Sequence, residues 1–241
     1  MKIDVLNLHV SADGKEIIKG ADLSMKSGEF HVLMGPNGSG KTTLAMALMG
    51  YPQLQVTSGD IRVDDKSILS MPANERAKLG LFMQFQDPPE VEGVGIINFL
   101  MSAKSALSQN KIDTRTFMNE VTETAEKLHM QKDIIGRSLN FGFSGGEKKK
   151  SEILQMQLLK PKFVLLDEPD SGLDVDALKD VANVIKEFAA NTGAGMLLIT
   201  HYTRILRYLK PDYVHVLVDG KIVKSDGPEL AEYIDKNGYT F

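Results

Sequence analysis

"EFHVLMGPNGSGKTTLAMALMG", residues 29–50, decides how this chain is read. "EFHVLM" is a short apolar run of strand type that enters a glycine-rich loop directly. "TTLAMALM" then has helical character and closes on Gly50, a residue that ends helices because it takes the left-handed conformation without penalty. Between the two, Gly35, Pro36, Asn37, Gly38, Ser39, Gly40, Lys41, Thr42 and Thr43 match the pattern G-x-x-x-x-G-K-[ST]. Glycines let such a loop wrap so that successive backbone N–H groups point inward at phosphates. The helix that starts there adds the positive end of its dipole. The spacing sends Lys41 to the β- and γ-phosphates of a nucleotide and the Thr42 hydroxyl to a magnesium ion.

Composition bounds what surrounds this loop. The chain has 241 residues, 42% of them hydrophobic, enough to bury one substantial core with or without an inserted subdomain. A net charge of −4 argues against a nucleic-acid binder, which needs a basic surface to neutralise phosphates. The absence of cysteine excludes disulfides and any thiolate-held zinc or iron–sulfur site on this polypeptide. No apolar run approaches the ~20 residues of a membrane helix, and "MKIDVLNLHV" lacks the apolar stretch of a signal peptide. A soluble, cytoplasmic protein is expected.

Outward from the loop, the first third reads as strands with tight turns: "KIDVLNLHV", "EIIKGADLSM", a hairpin in "SGDIRVDDKSIL", and a buried strand in "LFMQFQ". From Ile96 to Lys160 the pattern is helical, with helices expected near 96–109, 114–130 and 145–159 and no strand between them. Strands return in "FVLLDE", "GMLLIT" and "YVHVLVDGKIV", with helices near 176–191 and 203–209. This is an α/β core interrupted by a helical insert.

Three further positions fit phosphate chemistry. "FVLLDEPD" (163–170) delivers Asp167 to the carboxyl edge of a sheet, where open α/β sheets bind ligands, and Asp167 there can hold magnesium through water. Glu168 follows and can orient or deprotonate an attacking water. His201 ends "GMLLITH" and can donate to a γ-phosphate; Gln86 ends "LFMQFQ" and can contact magnesium or the lytic water.

A second glycine-rich stretch, "FGFSGGEKKK" (141–150), lies about a hundred residues downstream. Its "FSGGE" resembles the LSGGQ signature of the ATP-binding-cassette (ABC) ATPases, with Phe143 and Glu147 for the usual Leu and Gln. The phosphate loop, Gln86, the signature, "LLDE", "SGLD" (171–174) and His201 follow in that family's order. The resemblance implies a P-loop fold with a RecA-like core and an antiparallel β subdomain (1–88 and 161–241) and an inserted helical subdomain (89–160) carrying the signature. It also implies magnesium-dependent ATP hydrolysis, with Thr42, Gln86 and Asp167 as metal contacts and Glu168, His201 and Gln86 as catalytic groups. Two chains would pair head to tail, so that Ser144, Gly145 and Gly146 of one cap the ATP of the other and Asp174 reaches across. One departure stands out: an aromatic residue near position 12 usually stacks on adenine, and "HVSADGKE" has none, so weaker nucleotide binding is expected.

"GFSGGEKKKSEILQM", "LLDEPDSGLD" and "THYTRILRYLKPDYVHVLVDGKIVKSDGPELAEYIDKNGY" are similar to the SufC branch of the family, the ATPases of Suf iron–sulfur cluster assembly. That similarity implies SufB- and SufD-like scaffold partners; the alternative is the nucleotide-binding subunit of a transporter. "DPPEVEGVGIINFLM" (87–101) is the expected docking segment. The lysine run 148–150 reads as a solvated helix face, or as a restraint on an idle Glu168.

Overall fold

A computed structural model describes residues 1–108, 112–131, 136–201 and 203–239. The N-terminal alternation forms two long antiparallel strands, β1 (Lys2–Ala12) and β2 (Lys15–Lys26). They are joined at Asp13 and Gly14, whose positive φ values of 50° and 75° suit the twist of a two-residue hairpin. β3 (Phe30–Met34) enters the glycine-rich loop, and α1 (Lys41–Met49) leaves it. β4 (Leu54–Val63) returns to β1 and pairs with the short β5 (Lys66–Ser67), which gives a four-stranded sheet in the order β2-β1-β4-β5. After α2 (Ala73–Leu79) and β6 (Leu81–Gln84) come β7 (Val91–Gly95), α3 (Ile96–Leu107), α4 (Thr114–Lys127), β8 (Ser138–Leu139) and α5 (Gly145–Leu159). The chain ends with β9 (Phe163–Asp167), α6 (Val175–Thr192), β10 (Gly195–Ile199), β11 (Tyr213–Val218), β12 (Lys221–Asp226) and α7 (Glu229–Asn237).

The second large sheet has six strands in the order β12-β11-β3-β10-β9-β6. All neighbours in it run parallel except the edge strand β12. β9 and β10 are buried at every position, as expected of parallel strands covered on both faces. Alternate residues face opposite layers. Val32, Val164, Leu166, Met196 and Leu198 join α3, α4, α5 and α6 in one apolar core. Leu33, Phe163, Leu165, Leu197 and Ile199 join α1 and the antiparallel sheet in another. The register aligns Leu33 and Asp167 with Ile199, and Gln84 with Leu166. The carboxyl ends of β3, β6, β9 and β10 therefore reach one edge together.

Four expectations need correction or extension. The helical region holds a strand after all, because β8 pairs antiparallel with β7. The helix expected over 203–209 is a single 3₁₀ turn at Ile205–Arg207, stopped short by Pro211. α2 and α7, both short, were not anticipated. The helix expected to reach position 109 ends at Leu107, and 109 lies outside the described residues. No helix among the described residues is long and apolar enough to cross a membrane.

Candidate functional site

The loop after β3 is closed by its own lysine. Lys41 is buried, and its Nζ donates to the carbonyls of Gly35 at 2.9 Å and Pro36 at 3.0 Å. Burial pulls the lysine pKa down, while Glu168 and Asp167 oppose that shift. Two glycines are required here for close approach. A Cβ on Gly35 would sit 2.1 Å from the Leu217 carbonyl oxygen; at Gly40, with φ 106°, it would meet Ile18 at 2.8 Å. The loop, Gln86, Glu168 and His201 line one cavity of about 800 Å³, a size that suits a cofactor.

β9 brings Asp167 to the head of this cavity fully buried. Burial pushes its carboxyl up; the nearby Thr42 hydroxyl pulls the other way, Glu168 adds to the rise, and Lys149 and Lys41 oppose it. Neither Asp167 oxygen has a hydrogen bond of normal geometry, and the buried Ser39 Oγ has none either. Buried oxygens with unfilled lone pairs beside the first turn of α1 are the donor set a hard divalent cation takes, so these residues fit magnesium.

Glu168 gathers the catalytic candidates. Gln86 Nε2 donates to its Oε2 at 3.0 Å, and His201 Nε2 lies 2.7 Å from its Oε1. Its backbone is left-handed, φ 48°, and its N–H extends the sheet ladder to the Ile199 carbonyl at 2.9 Å. A left-handed non-glycine residue costs on the order of 1–3 kcal/mol and persists where its surroundings hold it.

The lysine run is not a solvated face, and no lysine hydrogen-bonds to Glu168. Lys149 is buried, and its Nζ donates to the Phe85 carbonyl at 3.1 Å and to that of Gln86. Glu152, one turn on, accepts from the Phe85 N–H at 2.7 Å, and burial pushes its carboxyl up to about 8. Lys148 pairs with Glu90 at 2.8 Å. α5 thus uses its charged residues to pin the segment that carries Gln86. The charges face inward because that segment presents backbone carbonyls and an N–H that need partners away from water.

The signature residues lie elsewhere. Ser144 caps α5, accepting from the Glu147 N–H at 3.3 Å while Glu147 accepts from the Ser144 N–H at 2.8 Å. This reciprocal capping box accounts for the glutamate where the family has glutamine. Those hydrogen bonds hold the Glu147 carboxyl below its usual range. Ser144, Gly145, Gly146 and Asp174 line a separate cavity of about 460 Å³. Asp174 caps α6 by accepting from the Ala177 N–H at 2.8 Å. Sequence reasoning missed Ile17, Ser171, Gly172 and Arg204, which also line the nucleotide cavity. Ile17 brings an apolar side chain to the mouth of the phosphate loop, its Cγ2 lying 3.2 Å from where a Cβ on Gly40 would be.

Comparison with known proteins agrees with this geometry. The family model described as ABC transporter matches residues 18–171. "Vegetative protein 296" of Bacillus subtilis is 47% identical over 98% of this chain and 91% of its own length. A probable ABC transporter ATP-binding protein of Streptococcus pyogenes is 47% identical over 98% and 93%. A probable ATP-dependent transporter of Synechocystis is 44% identical over 99% and 94%. Among solved structures, an ATP-binding cassette in a dimeric post-hydrolysis state with ADP and Pi superposes with a TM-score of 0.80 at 18% identity, covering 94% of this chain and 98% of that one. An ATP-binding subunit of an ABC transporter gives 0.81 at 21%, covering 99% and 94%. The chain belongs to the ABC transporter ATP-binding family and is an ATP-binding-cassette ATPase.

Proposed function

We propose that this protein hydrolyses ATP with magnesium at the interface of a head-to-tail pair and, as a cytoplasmic SufC-like subunit, drives remodelling of a SufB- and SufD-type scaffold in iron–sulfur cluster assembly. One observation carries the pairing: the signature residues Ser144–Gly146 and the phosphate loop line different cavities of the same chain. A signature that faces away from its own loop is complete only against another copy's nucleotide. Within that pair, residues 1–88 and 161–241 form the catalytic core and 89–160 the helical subdomain.

Lys41 leaves the Gly35 and Pro36 carbonyls for the β- and γ-phosphates. The N–H groups at the start of α1 take the remaining phosphate oxygens. Magnesium, held by Thr42, Gln86 and Asp167, would neutralise charge on the phosphates. Glu168 accepts the proton of the attacking water, and His201 donates to the γ-phosphate. Ser144, Gly145 and Gly146 of the second chain close the site, with its Asp174 at the seam.

The scaffold assignment rests on the similarity of the signature region and of residues 200–239 to the SufC branch, and on a chain without cysteine, whose cluster ligands must sit on a partner. The exposed Val91, Val94 and Phe141 beside the β7–β8 pair support the segment 87–101 as its docking surface. The printed names of the bacterial relatives favour a second reading, the nucleotide-binding subunit of a membrane transporter.

Two measurements decide. Mixing two inactive variants, Lys41→Ala and Ser144→Arg, leaves one intact site in each mixed pair, so about a quarter of wild-type turnover returns if pairing is head to tail. No recovery despite pairing would refute it. Affinity purification followed by mass spectrometry returns a soluble cysteine-bearing scaffold under the first reading and a membrane permease under the second.

A further inference from the structure

The turn Asp170–Asp174, "DSGLD", is the wall between the two cavities: Gly172 lines both. On the signature side, the buried Leu173 places its Cδ2 3.4 Å from where a Cβ on Gly146 would sit, so the turn packs against the second signature glycine. Its own bonds are sparse: Ser171 N–H to the Glu168 carbonyl at 3.1 Å, and Leu173 N–H to the Asp170 carbonyl at 3.5 Å.

Arg204 holds the turn at both ends. Its Nη2 donates to the Asp170 carbonyl, and its Nη1 to the Leu173 carbonyl at 3.4 Å. Its Nε lies 3.6 Å from the Asp170 carboxylate. Asp170 is itself fully buried and accepts from Thr200 Oγ1 at 3.1 Å, where Thr200 immediately precedes His201. A planar guanidinium with donors on several edges makes these contacts at once; an ammonium is a point charge without that fork.

We infer that Arg204 is a positioning residue: it fixes the wall shared by the nucleotide and signature cavities, and so ties the segment carrying His201 to the signature glycines of the same chain. Nucleotide bound against Glu168 and His201 then alters the surface this chain offers to its neighbour's ATP. The coupling to a neighbour rests on the head-to-tail pairing proposed above; the clamp within one chain does not.

The test uses the full chain with Arg204→Ala and Arg204→Lys, each first checked for an intact thermal transition. Binding of a fluorescent ATP analogue and steady-state turnover are measured in parallel. Arg204→Ala should keep nucleotide affinity within about two-fold while kcat falls about ten-fold, and Arg204→Lys should restore little of it. Weakened affinity at unchanged kcat would make Arg204 a phosphate contact and overturn the inference, as would full rescue by lysine or an unchanged kcat. Hydrogen exchange at concentrations where the chain is monomeric separates the clamp from the pairing. Arg204→Ala should speed exchange at both 171–174 and 145–147; unchanged rates there sink the clamp. If wild-type turnover per chain does not depend on protein concentration and the two-variant mixture stays inactive, the pairing fails, and the exchange data still judge Arg204.

Discussion

Glu168→Gln is the sharpest perturbation of this site. The amide keeps the shape of the carboxylate and an oxygen toward His201 and Gln86, which sit 2.7 Å and 3.0 Å from the native oxygens. It tolerates the φ of 48° no better and no worse than glutamate, so the backbone needs no adjustment. The variant loses only the capacity to take a proton. General-base catalysis contributes about 10²–10⁴-fold, so kcat should fall by that factor, or ~3–5 kcal/mol of barrier. Lys41 and the glycine loop are untouched, and KM for ATP should move less than about three-fold. The ion pair lost with His201 is partly exposed and contributes less than about 1 kcal/mol, so the thermal transition should barely shift. Phosphate release and melting, recorded on the same preparation, check all three expectations. Turnover within about three-fold of wild type would show that Glu168 is not the base and that proton removal is not limiting.

Lys149→Met fills the same slot without donors and leaves the Phe85 and Gln86 carbonyls unpaired. Stability should fall by about 2–4 kcal/mol, with a loss of turnover because Gln86 is no longer held; an unshifted denaturation midpoint would contradict the pinning role. Ser144→Ala removes one half of the capping box and should cost about 1 kcal/mol in denaturant unfolding, with no loss if the cap is ornamental. Glu152 has a sign that can be checked. Its folded carboxyl titrates at about 8 against an ordinary value of 4.5, so the folded chain keeps a proton that the unfolded chain loses. Its contribution therefore opposes folding progressively as pH rises through that window. Glu152→Gln should raise the melting temperature at pH 8 more than at pH 5, and an equal change at both would refute the buried protonated carboxyl.

The legible parts of this molecule were those written in contiguous residues. The phosphate loop needs only nine neighbours in order, and β9 announces itself as an unbroken apolar run ending in Asp167 and Glu168. That these acids meet His201 and Gln86 followed from strand ends sharing one sheet edge. The capping box Ser144–Glu147 was also readable from its spacing, yet the glutamate was taken only as a family variation. Lys149 was not legible, because its partners lie 63 and 64 positions earlier. On a helix sequence rich in charge, nothing local distinguishes an inward lysine from an outward one. Arg204 depends likewise on a turn 34 positions away. β7 escaped because "VEGVG" has no apolar period and its partner strand is two residues long.

These contacts share a logic that none of the motifs states alone. In the single chain, each group that would act on a phosphate is occupied by the chain itself. Lys41 is spent on two loop carbonyls, and Glu168 is shared between Gln86 and His201. Asp167 is the exception, with both oxygens unpartnered and its carboxyl pushed up by burial. A dry carboxylate beside a lysine and the start of a helix is stable only while something neutralises it, so nucleotide with its cation has a place prepared at the back of the cavity and none at the front. The front is open because the glycines and serine suited to close it belong to another cavity. A chain built this way can bind without being complete. Completion then depends on how rigidly the turn 170–174 presents the signature, which makes the wall between the cavities, rather than either cavity, the place where binding becomes turnover.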